Sequence, residues 1–260
     1  MSAPAQRPLP KGVPGWRVAA SRYWGVAALL IGWQVWVLAW GVNAIVLPQP
    51  LNVLEDILFN PGVYAQNGGQ TLILAALGLV LGMAVGTLIA VIAWTSRLLS
   101  GILVPLGLVF SSVPVVALIP VLARLFGYDV KTVLVIVVII SFFPAFVFTS
   151  AGLKSLPPGS DDLFKVLGAN RWRRFVHLVL PAAVPNWMIA LRLAAPPAVL
   201  SAMVAEFLMG TSGLGYLFRE SANDFDTNRA FGTSVVATVI SVICFTSASI
   251  AERKVNDKWK

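Results

Sequence analysis

Charge is scarce in this chain: 12% of its 260 residues are charged, against roughly 25% in soluble domains. Acid is scarcer than base, with 11 Asp and Glu against 19 Lys and Arg. There is one cysteine, Cys244, and one histidine, His177. That excludes a disulfide framework and any Cys/His cluster with metal-ligand spacing. No Gly-x4-Gly-Lys-Ser/Thr run occurs, so the chain has no phosphate-cradling loop of that kind. No Ser/His/Asp or paired-carboxylate arrangement falls on one side of the candidate spans, so no catalytic chemistry is legible. What is present is apolar: 58% of residues are hydrophobic and the mean hydropathy is +0.83. This excludes a soluble globular enzyme, a disordered chain and a nucleic-acid binder, whose positive charge does not come with such apolarity. A basic, very apolar chain reads as an integral membrane protein with its positive charge on one side.

Runs of about 20 apolar residues are long enough to cross a bilayer, and six are found: Gly25–Leu47, Gln70–Trp94, Gly101–Leu125, Val130–Leu153, Ala182–Met209 and Ala230–Ala251. Pro105, Pro114 and Pro120 interrupt the third and soften its limits. The first is too long for a cleaved signal peptide and is followed by further spans. With this threading, fourteen basic residues fall on one side, four on the other, and Arg192 inside the fifth span. The excess predicts cytoplasmic termini. On the opposite side, Leu51, Val53, Leu54, Ile57 and Leu58 fall at helical spacing with Glu55 and Asp56 on the polar face, which suits an interfacial helix. A helical-looking Tyr216–Ala222 lies in the second outer segment, Gly210 to Arg229. The Pro-rich Pro4–Pro14 stretch is expected to be mobile.

Some 28 residues join spans four and five, long for a loop without a function. Pro157-Pro158-Gly159 breaks the preceding helix and Ser160 is a good N-cap. Asp161 and Asp162 then meet the positive end of a short helix. Leu163, Val166 and Leu167 share one face, and Gly168 is placed to end the helix. A second helix follows, with Trp172, Phe175, Val176 and Val179 at i, i+3, i+4 and i+7. Arg171, Arg173 and Arg174 lie off that stripe, and Pro181 marks the start of span five. The pattern fits a short helix held out to dock into another protein's groove. It fits equally an interfacial helix whose arginines bind anionic lipid.

Asp162-Leu163-Phe164-x3-Gly168, then nine residues, then Leu178-x-Leu180-Pro181, resembles the EAA-x3-G-x9-I-x-L-P loop of the membrane subunits of binding-protein-dependent ABC importers. Gly168-Ala169, Pro181-Ala182-Ala183-x-Pro185 and Leu191-Arg192 extend the likeness. Ala205-Glu206 with Gly213-Leu214-Gly215-Tyr216, and Ser112-Val113-Pro114-x3-Leu118-Ile119-Pro120 with Phe126-Gly127, resemble the nitrate/sulfonate/taurine/bicarbonate branch. The departure is Asp-Leu-Phe where the family usually has Glu-Ala-Ala. The resemblance covers about residues 70–250. It implies an all-α integral membrane fold of six transmembrane helices, of the type I importer permease class, with a cytoplasmic coupling helix between helices four and five. The corresponding domains are a cytoplasmic N-terminal tail over 1–24, a permease domain over 25–251 with its coupling loop at 154–181, and a cytoplasmic tail over 252–260.

By the same resemblance, Asp161, Asp162, Leu163, Phe164, Lys165, Leu167, Gly168 and Ala169 couple to a cytoplasmic ATPase. The permease pairs with a second copy of itself, two ATPases hydrolyse ATP with Mg, and an extracytoplasmic binding protein delivers the solute. The chain itself is then no enzyme and binds no cofactor, and it resides in a bacterial inner membrane. The implied solute is a small anion such as nitrate, a sulfonate or taurine, bicarbonate or an organic carboxylate, or else a thiamine-precursor pyrimidine or other heterocycle. An ATPase-independent carrier or channel is the rival from another class; it predicts charged or broken helices in both halves.

Candidate pathway or gate residues are Ser111, Ser112, Arg192, Ser201, Met203 and Glu206. Arg192 lies near the route of an anion or else pairs within the bundle, the second being favoured. Glu206 gates the outer mouth or hydrogen-bonds the Gly213-Leu214-Gly215 turn. Pro196-Pro197 frees backbone carbonyls and bends span five, which makes Ser201 and Met203 candidates. Gly78-x3-Gly82-x3-Gly86 permits close helix approach, within one subunit rather than at a dimer seam.

Overall fold

The computed structural model describes residues 15–258, with side-chain exposure from Trp24 onward except at Leu108, Phe110 and Ser111. Pro4–Pro14 and the cations Arg7, Lys11 and Lys260 lie outside the described residues. Those described form helices and short connections, with no strand among them. In chain order they are α1 (Gly15–Trp40), α2 (Pro50–Phe59), α3 (Pro61–Thr95), α4 (Arg97–Ser111), α5 (Val115–Phe126) and α6 (Val130–Gly152). There follow α7 (Ser160–Val166), α8 (Arg171–Arg174), a π-turn at Phe175–Val179, α9 (Leu180–Met209), α10 (Leu214–Asn223) and α11 (Thr227–Lys258).

Four helical stretches are long and apolar enough to cross a membrane: Pro61–Thr95, Val130–Gly152, Arg171–Met209 and Thr227–Lys258. The other two apolar runs come out differently from expectation. The first ends at Trp40, because Gly41 turns left-handed at φ +56° and Val42 N–H closes back on the Val37 carbonyl, a helix stop that glycine allows. It also starts early, since α1 reaches back to Gly15, inside the segment expected as a tail. The third run is two helices. Pro114 offers no N–H and disfavours helical backbone at Val113, so α4 stops at Ser111 and α5 restarts at Val115. At the other end of the chain, α11 runs through the expected 252–260 tail to Lys258.

Pro181 does not separate the amphipathic helix from span five. Its ring cannot donate to the His177 carbonyl, and one turn of π-helix absorbs the mismatch, with Leu180 N–H reaching Phe175 O. Such single-turn π-bulges are how a helix accommodates an insertion without breaking. The stretch from Arg171 to Met209 is therefore one rod.

α3, α6 and α9 pack side by side as the centre, with α11 against α9, α10 bridging α9 and α11, and α2 lying on α11. The seam is made of small residues: Ala75, Ala90, Ala145, Ala190, Ala194, Ala198, Ala202 and Ala205 are buried. Large apolar side chains such as Leu72, Val80, Leu88, Leu200 and Ile243 point outward. That inversion is expected where the surroundings are lipid and close backbone approach, not water exclusion, joins helices. The Gly78, Gly82 and Gly86 stripe is consumed here. A Cβ on Gly82 would lie 2.6 Å from both Ser141 Cβ and the Val138 carbonyl, and one on Gly86 would lie 2.6 Å from the Phe142 carbonyl. The stripe seals α3 on α6 within the chain, as the sequence led us to expect.

Candidate functional site

Pro157-Pro158 ends the connection from α6, and Gly159 then takes a left-handed φ of +75° at the N-cap of α7. Ser160 is not the cap: it is the first helical residue, and its hydroxyl donates to the Pro157 carbonyl at 2.6 Å. The cap moves one residue upstream because only glycine takes that backbone turn without a Cβ penalty. Gly168 ends the helix as expected, at φ +68°, with Ala169 N–H bonded to Phe164 O and Gly168 N–H to Lys165 O.

Three apolar side chains on α7 face solvent: Leu163 is 57% exposed, Val166 85% and Leu167 70%. Phe164 and Ala169 are half-buried toward the bundle. Asp161 ties α7 to the following rod by an ion pair with Arg174 and also meets Lys165 at 3.1 Å. Asp162 meets Lys165 at 3.2 Å, so hydrogen bonds donated to Asp161 and then to Asp162 hold the Lys165 ammonium above its ordinary pKa. Asn170 caps α8, accepting from Arg173 N–H at 2.8 Å, and the Trp172 and Phe175 rings pack tilted against each other, centroids 5.9 Å apart. A short helix with an exposed apolar face is thus braced on the end of a 39-residue rod.

Glu206 occupies the far end of that rod, 1% exposed. Its Oε2 accepts from Thr71 Oγ1 at 2.7 Å and from Gly215 N–H at 3.1 Å. Thr71 Oγ1 in turn accepts from Leu214 N–H at 2.9 Å, and Asn67 Oδ1 from Gly213 N–H at 3.2 Å. The carboxylate therefore ties the start of α10 to α3, the turn-binding alternative named for it. Gly213, at φ +96°, leaves no room beside it: a Cβ there would collide with the Glu206 carboxylate. Arg219 closes the opposite corner, donating to the Gly210 and Phe207 carbonyls that end α9. Replacing Glu206 by Ala leaves Gly215 N–H without its acceptor in the core, while the Thr71 hydroxyl falls back on the Asn67 carbonyl at 3.2 Å. About 1–3 kcal/mol of stability is expected to go, with Glu206→Gln milder because its amide oxygen can accept from both Thr71 and Gly215. Thermal unfolding of the detergent-solubilised variants checks this.

Arg192 pairs with Glu252 of α11, Nη1 to Oε2 at 2.9 Å. Glu252 was missed, being one residue past the apolar run and taken into the tail. The signal was present: a charge inside a span demands a counter-charge. Arg192→Ala is expected to cost about 1–3 kcal/mol, below the range for a fully buried pair because the arginine is one-third exposed. Arg192→Ala with Glu252→Ala should recover part of that loss in a double-mutant cycle. A second cluster was also missed. Asp56 does not face water from an interfacial helix; it accepts from Tyr64 OH at 2.5 Å and Asn60 Nδ2 at 2.9 Å and meets Arg229 at 3.2 Å. It locks α2 and α3 to α11.

Of the other pathway candidates, Ser201 faces the core, 3% exposed, its hydroxyl given to the Ala198 carbonyl. Ser112 sits at the α4–α5 break, donating to Val109 O at 2.6 Å. The Ser111 side chain lies outside the described residues. Met203 lines a cleft of about 690 Å³ between α9 and α11, together with Pro196, Pro197, Leu200, Phe207 and Phe245. Ser234, Thr238 and Ser241 supply its polar groups, a hydroxyl stripe on α11 that sequence reading overlooked.

The model of the family described as "Binding-protein-dependent transport system inner membrane component" matches residues 71–260. Among its relatives, the formylaminopyrimidine transport permease protein ThiX of Halalkalibacterium halodurans is 28% identical over 223 residues, 85% of each chain. The putative aliphatic sulfonates transport permease protein SsuC of Bacillus subtilis is 26% identical, over 90% of this chain and 85% of its own. The nitrate import permease protein NrtB of Synechocystis is 25% identical, over 76% and 75%. In fold, the chain is similar to a subunit of an amino acid ABC transporter, at TM-score 0.65 and 16% identity over 78% of this chain and 98% of that one. A chain of the inward-facing methionine ABC transporter MetNI follows at TM-score 0.56 and 18% identity, over 72% and 91%. With a matching family model over most of its length and a bundle of the same fold, the chain belongs to the inner-membrane permease components of binding-protein-dependent ABC importers.

Proposed function

We propose that this chain forms the transmembrane pathway of an ATP-driven importer and that α7 is the helix through which a separate ATPase moves it. The observation that carries this reading is the exposed Leu163, Val166 and Leu167 face on a helix braced to α8–α9 by Asp161 and Arg174. Apolar residues held rigidly out from the bundle are a cost unless a partner covers them. Phe164, Gly168 and Ala169 fix the shape of α7; Asp161 fixes its angle through Arg174, and Lys165 pairs with Asp161 and Asp162 within the helix. Both termini face the cytoplasm, as the fourteen-to-four bias of basic residues requires, and six helical passes fit if α4 and α5 together complete one. The permease domain spans 25–251, with α11 carrying it on to Glu252. A second copy of the chain completes the pathway, two ATPases supply ATP and Mg chemistry, and an extracytoplasmic binding protein selects the solute.

Two solute classes are in view, since relatives of similar identity carry names for formylaminopyrimidine, aliphatic sulfonates and nitrate. Two observations favour a neutral heterocycle over a small anion. The α9–α11 cleft is lined by aromatic, aliphatic and hydroxyl groups, and Arg192 is neutralised by Glu252. Met203 is the candidate that stays on the pathway, while Arg192 and Glu206 serve the frame.

Tagged protein, extracted gently from its own membrane, tests the assembly. An ATPase subunit carrying a Gly-x4-Gly-Lys-Ser/Thr loop is expected to co-purify, and Gly168→Arg, which forces a side chain onto a left-handed backbone position, is expected to lose it. Recovery of the permease without any ATPase in the native membrane overturns the reading.

A further inference from the structure

Where α3 ends, the bundle carries a cleft of about 620 Å³ with three guanidinium groups on its walls, from Arg97, Arg171 and Arg174. Trp94 and Trp172 line it as well. Arg174 is engaged by Asp161. Among the described residues, neither Arg97 nor Arg171 has an acidic side chain within ion-pairing distance. The cleft continues into the bundle: it shares Val91 and Phe175 with an apolar groove of about 690 Å³ between α3 and α9. The groove reaches from Val91 back to Leu79 along α3, roughly 18 Å at the helical rise, against about 15 Å for half of a bilayer's hydrocarbon core. Its polar groups are spent on one another, Trp187 Nε1 donating to Thr87 Oγ1 at 2.9 Å.

We propose that this paired cleft and groove bind one anionic phospholipid. The phosphate lies between Arg97 and Arg171, the two tryptophans border the glycerol, and an acyl chain runs along α3. The shape is that of a lipid: cationic at the membrane surface, aromatic at the interface, apolar for the depth of one leaflet. Charge selects the lipid, because two uncompensated cations favour an anionic headgroup over a zwitterionic one. The site lies beside the brace of α7, since Arg174 touches both the cleft and Asp161. It does not depend on what α7 docks with.

Lipid retention tests it. The full-length protein, in its purified assembly, is exposed to phosphatidylglycerol and phosphatidylcholine of identical acyl chains, and retained lipids are counted by native mass spectrometry. The wild type is expected to retain phosphatidylglycerol selectively. Arg97→Gln with Arg171→Gln should lower that preference roughly ten- to thirtyfold, from about fivefold per basic residue at a membrane surface, and Arg97→Lys with Arg171→Lys should keep most of it. Ala84→Phe, filling the groove, should lower retention of both lipids. Millimolar glycerol 3-phosphate should displace nothing. Unchanged preference in the glutamine double variant overturns the proposal, as does displacement by glycerol 3-phosphate, which assigns the cleft to a soluble phosphate ester. Ala84→Phe that splits a dimer without changing lipid retention assigns the groove to a second copy and overturns it too. Gly168→Arg, which bears on the ATPase alone, leaves lipid retention as in the wild type.

Discussion

Leu163→Asp together with Leu167→Asp is expected to cut ATP-driven uptake by about a hundredfold or more while the permease still inserts and accumulates. Both side chains are exposed in the isolated chain, so charging them strains nothing in its own fold. Covered by a partner, each leucine contributes about 1.5–3 kcal/mol of apolar burial, and a carboxylate there is desolvated without a counter-charge. Losing that burial at both positions, about 3–6 kcal/mol in all, exceeds the roughly 2.7 kcal/mol that a hundredfold represents. Uptake into reconstituted vesicles, set against protein level in the membrane, measures it. Asp161→Ala should have a smaller effect of the same sign, because it frees α7 from Arg174 and leaves the docking face intact.

Gly82→Leu is expected to abolish accumulation of folded protein altogether. The helix backbones of α3 and α6 approach so closely that a bare Cβ would already meet the Val138 carbonyl and Ser141 at 2.6 Å. Neither is the free end of a flexible side chain, so the α3–α6 seam must part. Overpacking usually costs about 1–3 kcal/mol; here a four-carbon side chain meets backbone, and a cost above that range is expected. Gly69→Leu, on the same helix with nothing within 4 Å of its Cβ, is the control and should accumulate normally. Fluorescence-detected size-exclusion of membrane extracts separates the two.

The helices were legible where hydrophobic period and length were unambiguous, as in α3, α6, α9 and α11. Their limits were not. Pro114 reads in sequence as one of three prolines in an apolar run, yet Pro120 and Pro105 stay inside helices and only Pro114 breaks one. Pro181 looked like a boundary and is instead absorbed by a π-turn, a compensation that depends on the packing of Leu178 and Val179 in the core. α7 was read nearly to the residue, because Gly159, the paired aspartates and Gly168 are local signals that act within one turn. The polar frame was the least legible part. Glu206, Thr71 and Asn67 meet across 135 or more residues of sequence, as do Asp56 and Arg229 across 173, and no periodicity encodes such pairings.

The scarcity of cysteine makes the central claim directly measurable. With Cys244 replaced by Ala, Leu163→Cys becomes the only thiol in the chain and stands exposed at the middle of the α7 face. Labelled with a photoreactive maleimide in native membranes and irradiated, it is expected to form a covalent adduct with an ATPase subunit. ATP is expected to change the yield, while a thiol at Leu58, exposed on α2 at the other end of α3, captures none. Adducts with lipid alone, or equal capture of the ATPase from Leu58→Cys, would contradict the assignment of α7 as the point where ATP-driven motion enters this permease.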